Sequence, residues 1–151
     1  MTFPRLAVRA VILHRGRLLI VNAWPDGKSD LWCAPGGGVE RGASLHDNLK
    51  REIFEECGLQ IAVGAPCLVN EFHDPNGSFH QVDIYFHAEI TGGEIAPDWL
   101  DPAGVVTARR FVTEAELRLL RYKPDTLPEI AWGDPAWDGR ALYDALEPII
   151  R

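Results

Sequence analysis

Glu52, Glu55 and Glu56 stand three and four positions apart, a spacing that a helix with about 3.6 residues per turn gathers onto one face. Their carboxylates converge there, and the Glu52/Glu56 pair at i,i+4 repels by roughly a few tenths of a kcal/mol when exposed and by more when desolvated. A divalent cation reverses the sign of that interaction. Carboxylate oxygens are the hard ligands that Mg²⁺ prefers, and Mg²⁺ keeps several waters and is usually shared with substrate phosphates. A cation held this way can screen a diphosphate, polarise a phosphoryl oxygen and lower the pKa of an attacking water. Arg51, next to Glu52 and four residues before Glu55, is placed to steer one carboxylate through charge-assisted hydrogen bonds. The plainer reading of the same residues is a solvated helix face with i,i+4 partners.

Upstream lie Gly36, Gly37 and Gly38. Without side chains they let a loop bend sharply beside a ligand, although a glycine run alone is equally an ordinary turn.

The element that must carry the carboxylates runs from Ser44 to Cys57. Leu45, Leu49 and Ile53 recur every four residues, Ser44 caps the first turn with Asp47 three positions on, and Gly58 followed by Leu59 supplies a left-handed stop. Before it, Leu6 to Leu13 and Leu18 to Asn22 read as strands joined by a turn at His14-Arg15-Gly16-Arg17. Loop formers fill Trp24 to Asp30, and a short apolar segment follows at Leu31 to Ala34. After it, Ile61 to Val63, Cys67 to Phe72 and Gln81 to Ile90 read as strands. The last alternates a core face (Val82, Ile84, Phe86, Ala88, Ile90) with a polar one (Asp83, Tyr85, His87, Glu89). Asn76-Gly77 favours a hairpin between the latter two. Val105 to Val112 suggests a further strand, and Thr113-x-x-Glu116 a capping box opening a helix over Ala115 to Leu120. A final helix is expected at Gly139 to Leu146. Pro124, Pro128 and Pro135 point to a loop-rich tail carrying Trp132 and Trp137 before it. Strands and helices without regular alternation suggest a mixed sheet with helices packed on it.

The 151 residues, 46% of them hydrophobic, suit one domain spanning 1–151. The net charge of −7 opposes binding to extended nucleic acid or anionic membranes. No apolar run approaches the ~20 residues of a membrane span. Arginines interrupt the first residues where a signal peptide needs an apolar stretch, so the expected location is cytoplasmic. Cys33, Cys57 and Cys67 are odd in number and lack C-x-x-C spacing, and read as buried reduced thiols.

Taken together, GGGVERGASLHDNLKREIFEECGL resembles the Nudix box, G-x5-E-x7-R-E-U-x-E-E-x-G-U with U apolar. Gly37, Arg51, Glu52, Ile53, Glu55, Glu56, Gly58 and Leu59 match, and Ala43 stands where the family has its first Glu. The LWCAPGG approach and the ARRFVTEAEL segment look similar to their Nudix counterparts. The resemblance implies an α/β/α sandwich around a mixed sheet. It also implies Mg²⁺- or Mn²⁺-dependent hydrolysis of a nucleoside diphosphate linked to another moiety, or of a nucleoside triphosphate. By position, Glu52, Glu55 and Glu56 bind metal, Glu52, Glu55 and Arg51 serve catalysis, and Gly37 and Gly38 shape the substrate loop. Glu52 as general base is one assignment, because the downstream position near Thr107 to Arg109 has no carboxylate. Asp98 and Asp101 are the loop acids that could substitute.

The alternative from another class is a nucleotide or phosphosugar sensor of the same fold, motivated by Ala43 and the absent downstream acid. Ala43 itself predicts a loose metal requirement rather than a dead enzyme. His73 and His80 flank the predicted hairpin and can meet across it, whereas His87 faces the other side of a regular strand from His80, which argues against a zinc site. His73, His80 and Glu71 are more plausible as substrate contacts. Trp32, Trp99, Trp132 and Trp137 read as core before base-stacking platforms. Monomer and homodimer both stay open.

Overall fold

The computed structural model of the protein describes residues 3–25, 27–133 and 140–151. Among these residues nine strands join one mixed sheet. Its spine, β1 (Arg5–His14), turns through Arg15 and Gly16 into β2 (Arg17–Asn22). Both turn residues have positive φ, +53° and +77°, as two-residue hairpin loops need to follow the strand twist. β2 also pairs with β3 (Trp32–Cys33) and β7 (Arg109–Val112), and β4 (Gly36–Gly38) lies antiparallel to residues 7–9 of β1.

β1 runs parallel to β6 (His80–Gly92), which forms a long antiparallel hairpin with β5 (Gln60–His73). The segments read separately at 61–63 and 67–72 are thus one strand. Pro66, which has no N–H for a ladder, sits at register shifts between Val63 and Leu68, and pairing resumes beyond them.

Successive β1 residues point to opposite faces, and both faces are covered. On one, Val8, Ala10 and Ile12 meet Leu49, Ile53 and Cys57 of α1 (Leu45–Cys57). On the other, Val11, Leu18 and Ile20 meet Leu117 of α2 (Glu114–Arg118) and Leu127 and Ile130 of α3 (Leu127–Trp132). This is the α/β/α sandwich. Among the described residues no helix is long and apolar enough to cross a membrane.

α1 is fixed at both ends. Ser44 Oγ accepts from the Asp47 N–H at 3.0 Å, and Gly58, at φ +72°, returns its N–H to the Phe54 carbonyl at 2.8 Å. Two last-turn carbonyls, which a helix cannot satisfy itself, accept from Trp99 Nε1 (Glu55 O) and Arg109 Nε (Glu56 O). The capping box forms on α2, with Thr113 and Glu116 bonded reciprocally.

Three expectations need correction. Residues 105–108 are not strand, because their N–H groups go to side chains: Val105 and Val106 to Asp101, Thr107 and Ala108 to Asn22. The tail before the last elements holds α3, since Pro128 falls in the first turn, where a missing N–H costs nothing. No helix forms over 140–146. Instead β8 (Leu142–Tyr143) and β9 (Glu147–Pro148) add parallel to β5, with Asp144 N and Ile149 N bonded to the Val69 and His73 carbonyls. Gly139, Pro135 and Trp137 lie outside the described residues. Trp32 and Trp132 are half-buried and pack against the core on the α2/α3 side, Trp132 also donating Nε1 to the Gly16 carbonyl, and Trp99 is half-buried against Phe54.

Candidate functional site

Glu52 and Glu56 line one cavity of about 520 Å³, bounded on one side by Gly36, Gly37 and Gly38. Glu56 is only 7% exposed, and its Oε2 accepts from the Gly36 N–H at 3.0 Å. Burial pushes its carboxyl up to about 8; Glu52 and Asp101 push the same way, while Arg9 and the Gly36 N–H pull it down. Burial also raises Glu52, against the Arg51 guanidinium. Arg51 Nη1 donates to Glu52 Oε1 at 3.0 Å and to Glu55 Oε2 at 3.3 Å, and its Nη2 reaches the Gly38 carbonyl at 3.3 Å and Asn48 Oδ1 at 3.1 Å. Arg51 thus makes the charge-assisted hydrogen bonds to Glu52 and Glu55 that its spacing allows. Glu55 is held by Arg51 but does not line the cavity. Among the described residues no three His, Cys, Asp or Glu side chains already stand close enough to hold a metal ion together.

The glycines form an extended strand rather than the expected bent loop, and close approach explains them. A Cβ on Gly36 would lie 2.0 Å from the Val8 carbonyl oxygen, at a φ of +152° that other residues avoid. One on Gly37 would lie 2.5 Å from Glu52 Oε2, and one on Gly38 2.5 Å from Arg5 Nη2.

The cavity floor was not visible in the sequence. Arg5 and Arg9 of β1 lie opposite Gln81 and Tyr85 of β6. Arg5 Nη1 donates to Gln81 Oε1 at 2.9 Å, Gln81 Nε2 to Asp83 Oδ1 at 2.7 Å, and Arg9 Nε stands 3.5 Å from Asp83 Oδ2. The polar face assigned to β6 is therefore solvated only at His87 and Glu89; Asp83 and Tyr85 are buried. Burial works against the Arg9 charge, but Asp83 first, then Cys33, Tyr85 and Glu56, outweigh it and hold the guanidinium charged. Burial drives the Cys33 thiol up to about 11 against the opposing pull of Arg9. The arginines at positions 5 and 9, four residues apart and so on one face of β1, were the available signal. That β6 lies beside β1 was not.

Asp101 lines the cavity, but its carboxylate accepts from the N–H groups of Ala103, Val105 and Val106 at 2.9 to 3.1 Å. Asp98 does not line it. Phe72 and Phe79, with ring centroids 5.8 Å apart, contribute to the wall, as do Trp24 and residues 147–151. His73 and His80 do pair across the hairpin, centroids 6.3 Å apart, but neither they nor Glu71 line the cavity. Glu71 accepts from the Tyr143 hydroxyl instead.

Three proteins place this geometry among known ones. The chain is 31% identical over 97 residues to diphosphoinositol polyphosphate phosphohydrolase 3-beta of Bos taurus, covering 63% of this chain and 56% of that protein. It is 29% identical over 92 residues to the ADP-ribose pyrophosphatase of Methanocaldococcus jannaschii, covering 61% and 54%. The chain thus spans about half the length of these relatives. A NUDIX hydrolase from Nitrosomonas europaea shares its fold, with a TM-score of 0.74 at 19% identity over 92% of this chain and 93% of that one. The profile of the NUDIX domain matches residues 3–133, which include the glycine strand, the carboxylate helix and the arginine floor, and the chain belongs to that family.

Proposed function

We propose that the chain is a metal-dependent pyrophosphohydrolase acting on a nucleoside diphosphate linked to another moiety, or on a nucleoside triphosphate. The observation that carries this reading is that Glu52 and Glu56, one helical turn apart, face the same cavity as Arg9, with Arg51 fixing Glu52 from the side. The residues fit Mg²⁺ or Mn²⁺. The donors are all carboxylate oxygens, and Glu56 is a buried acid kept protonated by desolvation and by its neighbour Glu52, a penalty that a hard cation relieves. Glu52 and Glu56 would hold the ion from the cavity, with Glu55, tied to the same cluster through Arg51 but outside the cavity lining, as the third expected ligand. When bound the ion would supply charge neutralisation to the diphosphate and acidity to a water.

The remaining work falls to the chain. Gly37 and Gly38 keep side chains out of the wall, so a diphosphate can approach the carboxylates. Arg9 offers its fixed positive charge to a phosphoryl group, while Arg51 keeps Glu52 aimed. Glu52, held in place by Arg51, is the carboxylate that accepts the proton as water attacks phosphorus. The bridging oxygen leaves with a phosphorylated product, and the attacked phosphorus leaves as a second one.

The test is a panel of nucleotide sugars, dinucleoside polyphosphates, nucleoside triphosphates, ADP-ribose and diphosphoinositol polyphosphates with Mg²⁺, with both products identified. Inactivity on all of them defeats the reading. The sensor alternative rests on Ala43, and tight metal-independent ligand binding without turnover would favour it.

A further inference from the structure

We propose that Asn48 is a positioning residue that takes over, in this chain, the support of Arg51 that a carboxylate at position 43 would give. The inference rests on the metal-dependent site proposed above. Asn48 is fully buried in the second turn of α1, where an amide is costly unless its polar atoms are bonded. They are. Oδ1 accepts from the Glu40 N–H at 2.7 Å and from Arg51 Nη2 at 3.1 Å, and Nδ2 donates to the carbonyls of Ser44 at 2.8 Å and Ala43 at 3.2 Å. One side chain therefore ties both ends of the loop 40–44 to the arginine that orients Glu52 and Glu55.

Position explains the substitution. Asn48 and Arg51 are at i,i+3 and so are neighbours on the helix surface. Ala43 offers Asn48 its carbonyl and has no side-chain acceptor to offer Arg51. Glu40 also approaches Arg51, at 3.6 Å, but its side chain is 71% exposed, and such a pair is weak and screened by salt. A buried amide fixes the guanidinium without adding a further negative charge beside three carboxylates.

Mn²⁺ binding, followed by the electron paramagnetic resonance of the free ion, tests this without turnover. Asn48→Ala should weaken Mn²⁺ binding by about 10-fold or more, the range of lost outer-shell partners. Ala43→Glu in that background should restore most of the loss while adding far less to the wild type, a coupling that a purely structural loop role does not produce. Unchanged Mn²⁺ binding in Asn48→Ala, or equal effects of Ala43→Glu in both backgrounds, overturns the inference. Should Asn48→Ala fail to fold, Asn48→Asp decides. It keeps the acceptor for Arg51 and loses the donor to the loop carbonyls, so binding close to wild type supports the proposal and strong weakening overturns it. Wild-type protein that binds Mn²⁺ but hydrolyses none of the panel defeats the proposed activity alone. Hydrolysis with unaltered Mn²⁺ binding in Asn48→Ala defeats the Asn48 role alone.

Discussion

The Gly36 N–H donates to Glu56 Oε2 at 3.0 Å, joining the glycine strand to the carboxylate helix at the one acid of the cluster that is almost fully buried. The bond can form whether or not Glu56 is ionised. Its carboxyl can therefore stay in place as a neutral acid, and under the proposed function it would give up its proton to a cation, so that protonation would separate the metal-free from the metal-bound protein.

Glu56→Gln keeps volume and an acceptor for Gly36 while removing the charge. It should lower kcat by more than about 100-fold, beyond the usual effect of outer-shell changes, with the fold intact by circular dichroism. Turnover close to wild type at limiting Mg²⁺ would remove Glu56 from the site.

The same residue predicts a pH dependence. The unfolded chain loses this proton near 4.5, whereas the folded protein keeps it up to about 8. Between those values the folded state binds more protons, so the stability of metal-free protein should fall as pH rises from about 4.5 to 8, by on the order of a few kcal/mol. Glu56→Gln should flatten that slope in denaturant titrations with EDTA. Mg²⁺ binding must displace the proton, so added Mg²⁺ should raise the thermal midpoint more at pH 8 than at pH 6. Equal shifts at both pH values would place the ion elsewhere.

Gly37→Ala should separate folding from catalysis. The new Cβ falls 2.5 Å from Glu52 Oε2, so the carboxylate must swing away, at about 1 kcal/mol for an off-rotamer side chain. The thermal midpoint should move by only a few degrees, while Mg²⁺-dependent kcat drops. A variant as active as wild type would mean that Glu52 tolerates displacement and is not the base.

How far the sequence reached depends on the range of the interaction. α1 was legible to its caps because Ser44, Leu49, Ile53 and Gly58 act within one helix, and with it came Arg51 and its two bonded carboxylates. The glycines were found but misread as a bend. The reason for Gly37 is Glu52 and the reason for Gly36 is Val8, both distant in sequence. Arg9 and Asp83 meet only because β1 and β6 are parallel neighbours, which alternation within either strand cannot reveal. β8 falls inside the helix expected over Gly139 to Leu146, because a strand of two residues has no periodicity of its own and exists through its pairing with β5.

Asp101 offers a test of loop against base. Its two oxygens take three N–H groups, so Asp101→Asn should leave at least one buried donor facing an amide NH₂, at about 1 to 3 kcal/mol. The consequence should be a raised KM from a displaced cavity wall, with the kcat pH profile retaining its limbs. Loss of the limb that reports the base, with KM unchanged, would transfer that role from Glu52 to Asp101.

Arg9 pairs with Asp83 and, in the proposed function, also meets a substrate phosphoryl group, and its variants should tell the two roles apart. Arg9→Met leaves Asp83 buried without its cation, and breaking such a pair from one side costs about 3 to 5 kcal/mol; Gln81 still donates to Asp83, which favours the lower end. Arg9→Met should therefore lower the thermal midpoint and raise KM together. Adding Asp83→Asn removes the stranded charge, so the double variant should recover much of the stability. If Arg9 meets a substrate phosphoryl group, KM stays high in the double variant, because no cation has been returned to the cavity floor. Recovery of KM along with stability would instead make Arg9 the counter-ion of Asp83 and leave the recognition of phosphate to other groups.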